Sequence, residues 1–213
     1  MKKKAVFFDL DGTLIDSAPD LAASLNHTLH SLGMPTYDLD TIRSWIGGGA
    51  TLLLQRGLTG QMEPPPIDPK LFEKAKRIFF EHYGANLCNH TRAYPHAKEV
   101  LVYLRPRYRI GLVTNKPYAF VLPILKKLRL DYFDLVLGGD SLKAKKPSPE
   151  PLLHACQKLK VVPYEALMIG DSINDYLAAK EAGMDMIWVS HGYDSSKVEA
   201  QKIPSLATLK EIL

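Results

Sequence analysis

Two arrangements of apolar residues divide the chain. In the stretch 17–90 apolar residues recur every three to four positions, as Leu21 and Leu25 do, which is the spacing of one helix face. Ser17 is suited to cap the first of these helices and Gly33 to end it. Helices are predicted over 17–32, 38–46, 50–58 and 69–87, with a proline-rich connection over 60–69.

Outside this stretch, short apolar runs alternate with helical patterns. Buried strands are predicted over 5–8, 109–114, 135–138, 167–170 and 186–189. Helices are predicted over 96–104, 149–159, 173–182 and 206–213, with a further helix that ends near Leu128. Strands that are separated by helices form a parallel sheet covered on both faces. The predicted fold class is therefore α/β.

The helical stretch interrupts this alternation directly after the first strand. We therefore predict two units, a sheet-containing core over 1–16 and 91–213 and an inserted helical unit over 17–90. A chain of 213 residues with 46% hydrophobic residues is long and apolar enough to bury a substantial core.

Composition narrows the class of protein. The net charge is +4, and the basic residues are spread along the chain, so no nucleic-acid footprint is predicted. The apolar run after Lys2–Lys4 is too short for a signal peptide, and no segment reaches membrane-spanning length. Cys88 and Cys156 lack CxxC spacing, which favours a reducing cytoplasm over a disulfide framework.

The stretch Lys4–Thr13 (KAVFFDLDGT) places two carboxylates at the end of the first strand. Side chains alternate along a strand, so Asp9 and Asp11 point the same way while Leu10 packs inward. Gly12 allows the backbone to turn and its N–H groups to approach an anion.

Two carboxylates this close need a cation between them or a shared proton. Oxygen ligands favour Mg²⁺, and the two acids are then candidates for a nucleophile toward phosphorus and a general acid and base. On this motif alone, a strand-end turn in which aspartate is common is an equally good interpretation. An EF-hand loop is disfavoured because Gly12 comes one position too early.

Polar residues follow the other predicted strands too. The sets are Thr114, Asn115 and Lys116; Lys146; and Gly170, Asp171, Ser172, Asn174 and Asp175. Ligands of open parallel sheets bind beyond the carboxyl ends of the strands, so all of these sets are predicted to lie at one edge.

The residue types at this edge suit phosphoryl transfer. Thr114 and Lys146 could hold phosphate oxygens, Asp171 could add a third carboxylate to the cation site, and Asp175 could support it. Lys116 is interpreted as a solvated surface lysine, as is the nearby Lys143, and Asn115 is as well explained by a turn as by a phosphate contact. The seven histidines form no HxxxH or HExxH pattern, so zinc is not predicted.

Taken together, the motifs resemble those of the haloacid dehalogenase superfamily of phosphatases, and within it the phosphoglycolate phosphatase group. The four motifs are Asp9-Leu10-Asp11-Gly12-Thr13, Thr114-Asn115, Lys146-Pro147 and Gly170-Asp171-Ser172-Ile173-Asn174-Asp175. The similarity to the group lies in IGGGATLLLQRGL, VTNKPYAFVLPILKKL, GGDSLKAKKPSPEPLLHA and HGYD.

This resemblance implies a Rossmann-like, doubly wound parallel core with a helical cap inserted after the first motif. It implies that Asp9 is the nucleophile and a Mg²⁺ ligand, and that Asp11 is the general acid and base and a Mg²⁺ ligand through its backbone oxygen. The other implied roles are metal ligation by Asp171, support of the metal site by Ser172 and Asp175, and phosphate binding by Thr114, Asn115 and Lys146.

The cap is expected to select the alcohol that is released. Gly48, Gly49 and Arg56 are the candidate specificity residues, with Arg43 as a further carboxylate partner. The glycines are equally well explained by the end of a helix, and the arginines by exposed charge. His96 stands where the resemblance leads us to expect a small residue after Tyr-Pro.

The expected function is Mg²⁺-dependent hydrolysis of 2-phosphoglycolate to glycolate and phosphate through an aspartyl phosphate. Alternatives with the same chemistry are a phosphatase for a sugar or amino-sugar phosphate, a pyrophosphatase and a hexose-phosphate mutase. A phospho-accepting receiver module is a distant alternative, disfavoured by the Asp9-x-Asp11 spacing and the helical insertion. The expected setting is the cytoplasm, with a small phosphate ester as partner, no nucleic acid or membrane, and a monomeric or homodimeric protein.

Overall fold

The structure is a computed structural model that describes residues 2–213, so residue 1 of the predicted core lies outside it. The strands are β1 (Ala5–Phe8), β2 (Ile15–Asp16), β3 (Arg92–Ala93), β4 (Arg109–Val113), β5 (Leu135–Leu137), β6 (Ala166–Gly170), β7 (Asp185–Val189) and β8 (Gln201–Ile203). The helices are α1 (Ala18–Ser31), α2 (Leu39–Ser44), α3 (Ala50–Thr59), α4 (Pro69–Ala85), α5 (Ala97–Leu104), α6 (Tyr118–Leu128), α7 (Glu150–Leu159), α8 (Ile173–Glu181) and α9 (Leu209–Ile212).

Six of the strands form one parallel sheet in the order β5-β4-β1-β6-β7-β8. Phe8 at the end of β1 pairs with Leu112 of β4 on one side and with Ile169 of β6 on the other. The three central strands therefore end level with one another. This register brings the residues after each of them, Asp9 and Thr114 among them, to one edge of the sheet.

Both faces of the sheet are covered by helices, as the apolar pattern of β1 requires. Val6 and Phe8 pack into an apolar cluster with residues of α5, α6 and α9, whereas Ala5 and Phe7 pack on the opposite face with residues of α7 and α8. Alternate side chains of one strand thus enter two different clusters. The predicted α/β class, a doubly wound parallel sheet, is confirmed.

Helices α1 to α4 lie between β2 and β3, and α1 packs against the other three. The two short strands pair antiparallel, with Ile15 opposite Ala93, so the chain enters and leaves the helical stretch side by side. One continuous apolar cluster joins these helices to the sheet. The division into 1–16 with 91–213 and 17–90 therefore stays a prediction.

Sequence patterns missed three strands and simplified the C-terminal end. β2 and β3 have two residues each, and β8 buries only Ile203, so none carries a periodic signal. The predicted helix over 206–213 is a 3-10 turn followed by the four-residue α9. None of the helices within 2–213 combines the length and the apolar character needed to cross a bilayer.

The expected cap of α1 was wrong in its chemistry. Ser17 occupies the N-cap position, but its hydroxyl donates to Asp11 Oδ1 and makes no cap hydrogen bond. The hydroxyl oxygen of Tyr193 instead accepts from the backbone N–H groups of Ser17, at 2.7 Å, and Ala18, at 3.1 Å. The hydroxyl of Ser17 is therefore available to donate to the carboxylate of Asp11.

His96 has a left-handed backbone, with φ of 66°. Residues with a side chain rarely adopt this region, and glycine does so at little cost. The expectation of a small residue at this position therefore has a backbone reason.

Candidate active site

Lys146 links two of the acids at the sheet edge. Its ammonium, with the side chain 2% exposed, donates to Asp9 Oδ1 at 2.9 Å and also to Asp175 Oδ1 and the backbone oxygen of Val113. Burial alone would lower the pKa of Lys146, but the charges of Asp175 and Asp9 outweigh burial and raise it. The three N–H bonds of the ammonium are thus all used, and its charge faces Asp9.

Asp171 is held from two sides. Its Oδ1 accepts from the hydroxyl of Thr13 at 2.8 Å, and its Oδ2 accepts from the backbone N–H of Tyr193 at 2.8 Å. Gly12, with φ of 84°, lies so close that a methyl group there would overlap the carboxylate. Burial, and then the charges of Asp9 and Asp175, raise the pKa of Asp171 well above its usual range.

Asp175 and Ser172 hold each other at the start of α8. Asp175 Oδ2 accepts from the backbone N–H of Ser172 at 3.1 Å and from its hydroxyl at 2.6 Å. This reciprocal capping fixes the loop that carries Asp171. The predicted supporting residues therefore lie where they can orient the carboxylate cluster.

The carboxylates fit a divalent cation. One oxygen each of Asp9, Asp171 and Asp175 lie within 4.8 Å of one another, and all three residues are buried. Burial, and to a smaller extent the charge of Asp175, raise the pKa of Asp9 to about 6 against the opposing charge of Lys146. A buried cluster of oxygen ligands with excess negative charge is the chemistry that suits Mg²⁺.

Asp11 is not part of this cluster of three acids and pairs instead with Lys116. Lys116 Nζ donates to both oxygens of Asp11, at 2.9 Å and 3.0 Å, and its side chain is buried. Burial would lower the pKa of Lys116, but the charge of Asp11, with a smaller effect of Tyr83, raises it. The prediction that Lys116 is a solvated surface lysine was wrong, because the carboxylate of Asp11 compensates for its burial. The nearby Lys143 is exposed, as predicted.

The hydroxyl oxygen of Thr114 accepts from the backbone N–H of Lys116 at 3.2 Å, which leaves the hydroxyl proton for another acceptor. The side chain of Asn115 is committed elsewhere. Its amide nitrogen donates to the backbone oxygens of Gly47, at 3.0 Å, and of Lys146, at 2.8 Å. Asn115 therefore ties the helical stretch to the sheet, and this amide group is not directed at a phosphate.

A cavity of about 30 Å³ lies between the sheet edge and the helices. The residues that line it are Asp9, Asp11, Leu21, Ile46, Gly47, Gly49, Ala50, Leu53, Tyr83, Thr114, Asn115, Lys116, Pro117 and Phe120. This volume is far below the roughly 300–1,000 Å³ of small-molecule sites, so binding of a phosphate ester requires the helices to move.

The proposed specificity residues divide between this cavity and other places. Gly49 lines the cavity, whereas the backbone oxygen of Gly48 accepts from Lys145 Nζ at 2.6 Å and lies outside the lining. Arg56 donates to the backbone oxygens of Trp45, at 2.7 Å, and of Met62, at 2.9 Å. Arg56 stabilises the loops around α3 and is not brought to the cavity.

Arg43, the further carboxylate partner, is also directed away from the cavity. It pairs with Asp16 at 3.4 Å and with Asp40 at 3.5 Å. Neither arginine therefore lines the space next to Asp9.

Two tyrosines at the site were not singled out by sequence reasoning. Tyr83 lies on the inner face of α4, where its spacing indicates packing and nothing more. The hydroxyl of Tyr193 also donates to Asp16 at 2.9 Å, so this residue joins Asp171 to the start of the helical stretch. The segment HGYD, already similar to the relatives, was the available signal for Tyr193.

Comparison with known proteins agrees with this geometry. The sequence profile of the haloacid dehalogenase-like hydrolase family matches residues 6–189. The chain is 46% identical to the phosphoglycolate phosphatase of Nitrosospira multiformis over 196 residues, which covers 91% of this chain and 86% of that protein. It is 44% identical to the enzyme of the same name from Psychrobacter arcticus, with 97% and 92% covered.

A solved structure supports the same assignment. The crystal structure of a predicted phosphoglycolate phosphatase from Haemophilus somnus superposes with a TM-score of 0.92 at 37% identity and covers 100% of this chain and 98% of that one. The sheet order, the acids at its edge and the family profile agree. The chain belongs to the haloacid dehalogenase-like hydrolase family.

Proposed function

We propose that the protein is a Mg²⁺-dependent phosphomonoesterase that hydrolyses 2-phosphoglycolate to glycolate and phosphate through an aspartyl phosphate. The observation that carries this proposal is the convergence of Asp9, Asp11, Thr114, Lys146 and Asp171 at one sheet edge from four separate segments. Similar relatives named phosphoglycolate phosphatase support the choice of substrate.

Asp9 is the proposed nucleophile. Its carboxylate lines the cavity, and Lys146 holds one of its oxygens at 2.9 Å, which leaves the other oxygen to attack phosphorus. The bond from phosphorus to the ester oxygen breaks as the bond to the Asp9 oxygen forms. The hydroxyl proton of Thr114 and the charge of Lys146 stabilise the negative charge on the phosphoryl oxygens. The backbone of Asn115 completes the proposed phosphate site.

Asp11 is the proposed general acid and base. In its protonated form it gives a proton to the departing glycolate oxygen, and it then takes a proton from the water that attacks the aspartyl phosphate. Its bonds to Lys116 and Ser17 fix its orientation next to Asp9. The proton that is lost in the first step is thus regained in the second.

Asp9, Asp171 and the backbone oxygen of Asp11 are the proposed Mg²⁺ ligands, with Asp175 and Ser172 in support. When bound, the cation neutralises the charge of the phosphoryl group and of the clustered carboxylates. The three clustered carboxylates reported above, Asp9, Asp171 and Asp175, are the observation that supports this assignment.

The helical stretch 17–90 is proposed to act as a cap over a core formed by 1–16 and 91–213. It supplies the apolar lining opposite the acids, and its closure excludes water from the reacting groups. The protein is further proposed to act in the cytoplasm as a monomer or homodimer. Two buried cysteines that form no disulfide fit that compartment.

Phosphate release from a panel of esters tests the proposal. The purified protein with Mg²⁺ is expected to hydrolyse 2-phosphoglycolate with a higher kcat/KM than glucose 6-phosphate, glucosamine 6-phosphate and pyrophosphate. Chelation by EDTA should abolish the activity and added Mg²⁺ should restore it. If the sugar phosphates are preferred, the substrate assignment is wrong. If no ester is hydrolysed while phosphate accumulates on Asp9, the enzyme class itself is wrong.

A further inference from the structure

Charge is distributed unevenly around the cavity. Two carboxylates, Asp9 and Asp11, face it, and a substrate would add a phosphate. Among residues 2–213, Lys116 is the only cation in its lining. Lys146 is not part of the lining, and its three N–H bonds go to Asp9, Asp175 and the backbone oxygen of Val113. Any further negative charge on the leaving group therefore has one cation that it can approach.

The ammonium of Lys116 retains bonding capacity. Two of its three N–H bonds go to the oxygens of Asp11, and the third is not committed to an acceptor, with Tyr83 as the other polar neighbour of the ammonium. Lys116 also stands two residues after Thr114, the proposed phosphate ligand. Thr114 and Lys116 line the same cavity, so a phosphate at Thr114 and a charged group on its leaving alcohol would share that space with the ammonium.

Tyr83 provides a second polar group at the same place. Its side chain is 1% exposed, it lines the cavity, and its hydroxyl has no hydrogen-bond partner among the described residues. Lys116 Nζ lies 4.9 Å from the centre of its ring. Burial raises the pKa of Tyr83 to about 12, so the hydroxyl keeps its proton and can donate it. A buried, unpaired hydroxyl that faces a cavity indicates a ligand that completes it.

The rest of this end of the cavity is apolar. Leu21, Leu53 and Phe120 line the same small cavity, and the ring of Phe120 packs edge-on against that of Tyr83 at 5.1 Å. A sugar, whose hydroxyls each need a partner, would meet only these side chains. A small group with a single charged end fits this lining.

We propose that the Lys116 ammonium and the Tyr83 hydroxyl form a binding site for a carboxylate on the leaving alcohol of the substrate. This inference rests on the proposed function and names the residues that would make 2-phosphoglycolate the preferred ester. Lys116 and Tyr83 are specificity-determining residues. The charge of Lys116 is shared between Asp11 and the substrate carboxylate, and the phenol adds one neutral hydrogen bond.

Two esters that differ only in this group test the proposal. 2-Phosphoglycolate carries a carboxylate where 2-hydroxyethyl phosphate carries a neutral CH₂OH group. The wild-type protein should prefer the former in kcat/KM by on the order of 10²-fold or more. Tyr83→Phe should reduce this preference about tenfold, mainly through KM for 2-phosphoglycolate, with a smaller effect on 2-hydroxyethyl phosphate. Lys116→Met should bring the two esters to near equality, while turnover of both also falls because Asp11 loses its partner.

Tyr37→Phe is the matched control, because Tyr37 also packs among the cap helices but lies outside the cavity lining. It should leave the preference unchanged. If the wild type does not distinguish the two esters, both the proposed substrate and the proposed binding site are wrong. If the wild type does distinguish them but Tyr83→Phe retains the full preference, the proposed function stands and the binding site is wrong. An unchanged melting temperature of Tyr83→Phe separates a loss of recognition from a loss of folding.

Discussion

The two ends of the cavity differ in whether their polar side chains have partners within the protein. At the sheet edge the titratable side chains of Asp9, Asp171 and Lys146 each have charged or hydrogen-bonding partners within the protein. At the helical end the lining is apolar, and the hydroxyl of Tyr83 has no partner within 2–213. The proposed catalytic groups are thus held by the protein itself, whereas the proposed recognition group, Tyr83, would obtain its hydrogen bond from the substrate.

Replacement of Asp9, the proposed nucleophile, should have the largest effect of the changes at the sheet edge. Asp9→Asn should lower kcat for every ester by on the order of 10³-fold or more, because the neutral amide of asparagine is a much weaker nucleophile than a carboxylate. The melting temperature should not fall, since the change removes one of several like charges. Phosphate release and thermal unfolding measure the two effects. Retained turnover would contradict the role of Asp9.

Removal of the charge that links the acids should damage folding as well as turnover. Lys146→Met leaves Asp9 and Asp175 buried without their partner, and breaking such a pair costs about 3–5 kcal/mol. Urea unfolding of the metal-free protein measures this cost. Lys143→Met is the control, because Lys143 is exposed and its loss should be nearly neutral. Equal stability of the two variants would show that Lys146 does not support the cluster.

Metal removal should make stability depend on pH. Burial raises the pKa of Asp9 from 3.8 to about 6, so the folded protein binds more protons than the unfolded chain between these values. The stability of metal-free protein should therefore fall as pH rises from about 4 to about 6, and Asp171 acts in the same direction. Melting curves across this range should show the fall, and saturating Mg²⁺ should diminish it. A rise in stability over the same interval would contradict the assignment.

The smallest expected effect on stability comes from a substitution outside the cavity. His96→Gly should stabilise the protein by about 1 kcal/mol, because a side chain in the left-handed region carries a cost that glycine avoids. kcat/KM for 2-phosphoglycolate should not change. Chemical denaturation measures the gain, and Lys98→Gly, within α5, should show the opposite sign. A loss of stability in His96→Gly would mean that the imidazole makes contacts worth more than the backbone strain.

The residues at the sheet-edge end of the cavity were largely predictable from the sequence, and those at its helical end were not. Asp9, Thr114 and Asp171 follow strands whose apolar runs are plain, and parallel topology brings strand ends together. Lys116 was misjudged because its burial depends on the carboxylate of Asp11, 105 positions earlier in the chain. Tyr83 sits in a helical pattern in which any aromatic residue would indicate packing, so no local signal marks its hydroxyl. The side-chain directions of Arg56 and Ser17 were likewise decided by tertiary contacts.

The glycine turn before α3 is bound by three donors. Asn115 and Asn174 donate to the backbone oxygen of Gly47, at 3.0 Å and 3.3 Å, and Lys145 donates to that of Gly48. Each donor is the immediate neighbour in the chain of a residue that we place at the reaction centre or in support of it. Opening this turn must break all three bonds and so loosens the segments that perform the chemistry. In the cap movement that we propose, any separation of this turn from the sheet edge would be accompanied by the loss of these three hydrogen bonds.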